Sequence, residues 1–293
     1  MRAFFALIRR EFQEHRGAFL YAPAILVCLL TLFVVMGFIS GHYRLDLHGV
    51  MPLQYKLFDG LYFGVAALWW FYLSAALFFY FADSFNADRR NNAMFFWKSM
   101  PQSDFKILLS KLVAGMTVLP ALVFFAMLVT GIVLAIAATV APFALPILSA
   151  PDIPATAASW AGVSTVGLCY LILSLLWYAP FFAWVGALST VFGRWSIPLA
   201  LLIPAVFSLL EGVIDFGSAP GGSYVLSFLK QRLSFSFDAA DMREALFSNA
   251  PLDVTGLIGS LVEAISWPSL IGGLVFALAV IYAASEYRRR AIS

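Results

Sequence analysis

The chain has 293 residues, of which 62% are hydrophobic, 16% aromatic and only 12% charged, against the roughly 25% charged of an average soluble domain; with a mean hydropathy of +0.90 a water-soluble globular fold is excluded. The apolar runs are continuous rather than broken into alternating segments of about ten residues, which excludes a closed outer-membrane barrel. A net charge of +2 leaves no electrostatic footprint for nucleic acid, and the two cysteines, Cys28 and Cys169, lie inside apolar runs as small hydrophobes rather than as a disulfide or metal pair.

An all-α integral membrane protein remains. A bilayer core takes about 20 apolar residues per helix, which leaves room for roughly six spans with their loops. The N-terminus does not read as a cleavable signal, because Glu11 and Glu14 precede an apolar run longer than such a signal uses. Over 2–16, Phe4, Leu7, Ile8 and Phe12 fall at helical spacing, with Arg9, Arg10, Glu11 and Glu14 mostly on the rest of the wheel. Two readings stay open here: an amphipathic helix along the membrane interface, or the first turns of the following span.

The first span is 18–40, with Pro23 tolerated in its opening turns. After a polar loop the second is 61–82, dense in rings, among them Trp69, Trp70 and Tyr72 near mid-span. Segment 83–107 is a polar interruption. Ser103 and Asp104 then read as N-caps of a helix whose span is 108–140, kinked at Pro120. Four prolines between 141 and 160 predict an outer loop. The fourth span, 163–190, carries Pro180, which predicts a bend or break near Tyr178. A short turn with Arg194 leads to the fifth, 197–214, and the longest non-spanning segment, 215–265, follows with amphipathic pieces around 224–235 and 257–265. The sixth span, 268–284, ends in a basic stop at Arg288, Arg289 and Arg290.

Cation placement tests this topology. With both termini cytosolic, 13 of the 18 Lys and Arg residues fall on inner segments and 5 on outer ones, the bias of the positive-inside rule.

Motifs for chemistry are missing. There is no phosphate loop, no H-E-x-x-H, no G-x-S-x-G and no Cys/His cluster at metal spacing, so the expectation is a chain that is not an enzyme and holds no metal. The six proposed span cores lack Asp, Glu, Lys, Arg and His. Ion-coupled carriers keep such groups at mid-membrane despite a cost of about 2.5–3.5 kcal/mol each, so the energy source is expected off this chain.

The stretch with the most to bind is 83–111, the polar interruption with the first turns of the helix after it. It sets Arg89, Arg90, Lys98, Lys106 and Lys111 beside Phe95, Phe96, Trp97 and Met100. If 86–100 is a short helix closed by Pro101, Arg89, Phe96 and Met100 share faces. Such a helix lays aromatic anchors into a groove on a cytosolic partner, or it lies among lipid headgroups with its cations on anionic lipid. The residues alone leave both open.

The run from Asp88 through Arg89, Arg90, Phe96, Trp97 and Lys98 to Pro101, followed by Ser103 and Lys111, resembles the first cytoplasmic loop of ABC-2 type transporter permeases. The N-terminal amphipathic helix, six spans and an outer segment before the last span resemble that family too. The resemblance implies six transmembrane helices with cytosolic termini and an interface helix over 2–16. It implies the membrane subunit of an ABC exporter or floppase, working in a bacterial inner membrane with a second permease copy or paralogue and two separately encoded ATPase subunits. ATP and magnesium would be bound by those subunits, with no cofactor on this chain. By the same likeness, Arg89, Arg90, Phe96, Trp97, Lys98 and Pro101 belong to a coupling helix that meets the ATPase, and Trp69, Tyr72, Ser74 and Phe207 are candidates for the translocation path. Aromatic, uncharged spans point to an amphipathic or hydrophobic cargo. The alternative from another class is a membrane scaffold or sensor that recruits a cytosolic partner through 83–107 without transport.

Overall fold

The computed structural model describes residues 2–40, 54–90, 103–144, 152–214, 224–233, 235, 237, 239–247 and 251–290. Among them every regular element is helical, as the sequence leads one to expect. They are α1 (Arg2–Arg16), α2 (Ala22–Ser40), α3 (Gln54–Arg90), α4 (Asp104–Met116), α5 (Val118–Ala144), α6 (Ile153–Phe192), α7 (Ser196–Ile214), α8 (Tyr224–Leu233), α9 (Ala239–Phe247), α10 (Val254–Glu263) and α11 (Trp267–Arg290).

Among the described residues five helical stretches are long and apolar enough to cross a bilayer: Phe4–Ile39, Phe58–Phe85, Asp104–Ala141, Ile153–Val213 and Trp267–Arg290. Their length and composition are compatible with a multi-pass membrane protein. The fourth, at 61 residues, would be about 90 Å long as one rod, three times the hydrocarbon thickness. It divides at Gly193–Trp195, a single 3₁₀ turn. Gly193 there has φ 58°, left-handed backbone that glycine enters at no steric cost. The chain reverses at that point, and α7 packs back on α6 through Ala200, Ile197 and Ile203 against Val185 and Leu188.

At the N-terminus, α1 runs into α2 without a polar break, through one π-helical turn at Gly17–Tyr21. Residues 2–16 and the first span therefore form one continuous helical stretch. The Pro120 expectation shifts by one turn. The helix is interrupted at Thr117, φ −128° and ψ −72°, and Pro120 sits in the first turn of α5. With no N–H, Pro120 cannot bond the Met116 carbonyl, so the ladder stops just upstream and restarts with proline where the missing donor costs nothing. Pro180, by contrast, does not break its helix: α6 is continuous across it. The outer loop expected over 141–160 is shorter, because α5 reaches Ala144 and α6 starts at Ile153, with Asp152 accepting from the Ala155 N–H as its N-cap. Ser103 caps α4 as expected.

The bundle is organised on α6, which lies along both α3 and α11, the two most extensive helix contacts. Close approach is bought by small residues. A Cβ on Gly131 of α5 would stand 2.5 Å from Tyr62 Cζ and 2.7 Å from Trp160 Cδ1, so only glycine admits both rings. The Tyr62 hydroxyl and Ser164 Oγ share a hydrogen bond of 2.9 Å, which joins α3 to α6 in the core. Two long helices pack on the bundle along one side only and leave apolar side chains exposed on the rest. In α2, Leu29, Leu32, Phe33 and Met36 are exposed; in α7, Leu201, Phe207, Leu209 and Val213 are.

The outer segment expected over 215–265 contains three short helices, α8 to α10. Glu211, at the end of α7, accepts the backbone N–H groups of Tyr224 (2.6 Å) and Val225 (3.0 Å) and so caps α8. The segment folds along α6, where Phe235, Leu261 and Ile265 form a second core with Trp177 and Leu270.

Candidate functional site

Two features stand apart from ordinary helix packing, one toward each end of the bundle. At the end that carries α1, the start of α4 and the end of α11, buried charges tie the elements together. Lys111 of α4 reaches Glu11 of α1 at 2.7 Å, with both side chains almost wholly buried. The Tyr80 hydroxyl lies 3.1 Å from the second carboxylate oxygen of Glu11 and 3.0 Å from the Lys111 carbonyl. The His15 ring stands edge-on to Tyr80 at 4.7 Å. Nearby, Arg288 pairs with Asp104 at 3.2 Å while being 3% exposed, so one of the three arginines of the basic stop is a buried ion-pair partner rather than a solvated cation.

Donor atoms of Glu11, Glu14 and His15 lie within 4.8 Å of one another, a spacing compatible with a cation. Glu11, however, already faces Lys111, and Glu14 accepts from Arg10 at 2.6 Å. Both carboxylates therefore have a resident cation.

Toward the other end lies a cavity of about 400 Å³ between α3, α5 and α6. Phe63, Trp69 and Trp70 supply one wall, Val123 and Met127 a second, Val166 and Tyr170 a third. The segment that follows α7 covers it through Phe237, Met242 and Leu246. The volume falls in the ordinary range of ligand sites, about 300–1,000 Å³. Its chemistry is uniform. Both indole N–H groups of the wall are engaged with the protein, Trp69 donating to Thr130 Oγ1 (3.1 Å) and Trp70 to Ser174 Oγ (3.2 Å), so the wall shows carbon to the space between.

The cover is fastened by Arg232. Arg232 as a whole is 2% exposed, and its guanidinium lies 4.4 Å from the centre of the Trp177 ring. It donates to the Trp177 carbonyl at 3.2 Å and to the Ser269 carbonyl, and its own carbonyl accepts from Trp177 Nε1 at 2.7 Å. The Trp177 carbonyl is one residue past the acceptor that Pro180 leaves without a backbone donor, so the arginine adds a bond where the helix ladder is weakest. Gly273 makes room, since a Cβ there would meet the guanidinium. Burial pulls the Arg232 guanidinium below its ordinary pKa. Beyond the clasp, Tyr170 stacks on Phe235 at 5.5 Å and on Phe237 at 5.1 Å.

Of the four residues proposed for a path, Trp69 is at the cavity wall. Tyr72 is half-buried and donates its hydroxyl to the Ala18 carbonyl, Ser74 is half-buried away from the lining, and Phe207 is exposed on α7. Trp70, which the sequence also places near mid-span, lines the wall beside Trp69, and Met127 and Tyr170, which the sequence does not mark, complete it. Arg89 and Arg90 are the last two residues of α3; Phe96, Trp97, Lys98 and Pro101 lie outside the described residues.

Compared with protein-family models, curated proteins and solved structures, the chain matches none.

Proposed function

We propose that this protein is the membrane-spanning subunit of an ATP-driven ABC-2 type exporter or floppase, moving an amphipathic or hydrophobic cargo with energy supplied by separate ATPase subunits. The observation that carries the reading is the polar segment between α3 and α4. It opens with Asp88, Arg89 and Arg90 on the last turn of α3, continues through Phe96, Trp97 and Lys98 to Pro101, and ends at the Ser103 cap of α4. Aromatic and cationic groups together suit docking on a protein groove better than a simple connection does.

Three further observations support it. The chain carries no phosphate loop, so hydrolysis falls to a partner. The turn at Gly193 interrupts the longest apolar stretch, which supports a reading with six spans and both termini on one side, and the excess of cations on that side supports a cytosolic placement. Finally, α2 and α7 expose apolar side chains around most of their circumference, a surface fit for a second permease copy as well as for lipid. By the same reading the membrane is the inner membrane of a bacterium.

Reconstitution with the candidate ATPase tests the loop. Trp97→Ala combined with Lys98→Glu is expected to abolish stimulated ATPase activity and complex assembly while leaving the membrane domain folded. Undiminished assembly and activity in that variant would remove the loop from the interface.

A further inference from the structure

The cavity between α3, α5 and α6 has an opening built into the sequence. Gly60, Gly64 and Ala67 follow one another at helical spacing on α3 and all belong to its lining. Gly64 and Ala67 are exposed, while the large residues flanking them on the same helix, Leu61 and Leu68, are 60% and 68% exposed and turned outward. A Cβ added at Gly60 or at Gly64 would meet no atom within 4 Å. At Gly131, by contrast, the missing side chain admits neighbouring rings; at Gly60 and Gly64 it leaves space.

What fills that space follows from where it lies. Its walls are the membrane-crossing stretches Phe58–Phe85, Asp104–Ala141 and Ile153–Val213, so the medium at an opening on the outer side of α3 is hydrocarbon. Inside, the lining is carbon, with the indole donors turned to Thr130 and Ser174, and nothing there would hold water. An apolar cavity of about 150 Å³ takes one benzene; by proportion, about 400 Å³ takes roughly sixteen carbons, one chain rather than a whole lipid.

We infer that this cavity binds a single acyl chain, entering past Gly60, Gly64 and Ala67 and lying against Trp70, Met127 and Tyr170 beneath the cover of Met242 and Leu246. As cargo recognition this rests on the exporter reading; as chain binding it stands without it. The chain can belong to a free fatty acid or to a membrane phospholipid, and both present the same hydrocarbon to the wall.

The test uses the full-length protein in lipid nanodiscs with two probes, a diazirine-bearing palmitic acid and a phosphatidylcholine carrying the same diazirine chain. Labelled sites are read by mass spectrometry after photolysis. Residues 63–70 and 163–171 are expected to label at least roughly tenfold above the exposed face of α11 at Ile271, Val275 and Leu278, the difference of a specific site over bulk lipid. Gly64→Phe is expected to reduce cavity labelling by about the same factor with the α11 labelling unchanged, and Gly60→Leu serves if Gly64→Phe does not fold. Labelling by the free acid alone, by the phospholipid alone or by both supports the inference and identifies the source. Cavity labelling no stronger than that of α11 with both probes, or labelling that survives a folded cavity-filling variant, overturns it. Neither readout involves nucleotide or a partner subunit, so loss of the exporter reading would leave this result standing.

Discussion

Removing Lys111 should damage the protein more than removing Lys111 and Glu11 together. The two side chains meet at 2.7 Å with 2% and 6% of their surface exposed, and they join α1 to α4, helices separated by about a hundred residues of chain. In Lys111→Met the Glu11 carboxylate keeps the Tyr80 hydroxyl but loses its cation. Stranding one partner of a buried pair costs about 3–5 kcal/mol. At about 2 °C per kcal/mol for a chain of this size, thermal unfolding in detergent should fall by roughly 6–10 °C. Glu11→Leu with Lys111→Met replaces the pair by apolar groups of similar volume, and such exchanges are often neutral. Tyr80 would still have the Lys111 backbone carbonyl as acceptor, at 3.0 Å. The double variant should therefore recover most of the loss. Tryptophan fluorescence during a thermal ramp reads both. A single variant that melts with the wild type, or a double variant worse than the single, would refute the assignment of this pair as the fastening of α1.

Arg232→Ala should loosen the cover of the cavity: two hydrogen bonds from a buried guanidinium, at about 1.5–3 kcal/mol each less what solvation returns, leave a net of about 2–3 kcal/mol. Hydrogen exchange of the α8 amides should then accelerate by roughly 30- to 150-fold, with Lys at that position restoring little because it lacks the two-pronged fork. Unchanged exchange in α8 would mean the clasp does not hold the segment. Gly131→Val should cost about 1–3 kcal/mol or more by driving a side chain into Tyr62 and Trp160, measured by the same thermal ramp. Asp253 caps α10 by accepting from the Gly256 N–H and the Thr255 hydroxyl, which hold its carboxyl below the ordinary value. A depressed folded-state pKa gives stability present at neutral pH and lost as pH falls through that value, so α10 should fray below the usual carboxylate range. Asp253→Asn, which keeps the acceptor but cannot titrate, should remove that pH dependence of α10 exchange.

The apolar stretches were legible because twenty-odd hydrophobic residues in a row admit one explanation in a chain this poor in charge. The Ser103 cap was legible for an equally local reason, a side-chain acceptor just ahead of a helical run. What could not be read were facts about pairs. Lys111 looks like a cation at a span boundary until Glu11 is brought to it, and Arg288 looks like part of a stop signal until Asp104 faces it. Arg232 carries no sequence sign of burial, since only the approach of Trp177 and Gly273 encloses it. Pro120 and Pro180 read alike as helix disruptors. One coincides with a break a turn upstream, while the other sits inside a continuous helix with Arg232 on the neighbouring carbonyl. Depth in the crowded second span marks Trp69 and Trp70 alike; Met127 and Tyr170 need the meeting of α3, α5 and α6 to become a wall. Gly60 and Gly64 are two glycines among 20 until the open space beside them is seen.

Whether a separate ATPase drives this chain is decided by purifying the tagged protein from its native membrane in mild detergent, with mass spectrometry of stoichiometric partners and an ATPase assay on the same fraction. A co-purifying ABC-type ATPase that is lost when Trp97 and Lys98 are changed is expected. A folded, monodisperse chain with no ATPase bound, and no nucleotide hydrolysis in the fraction, would overturn the exporter proposal.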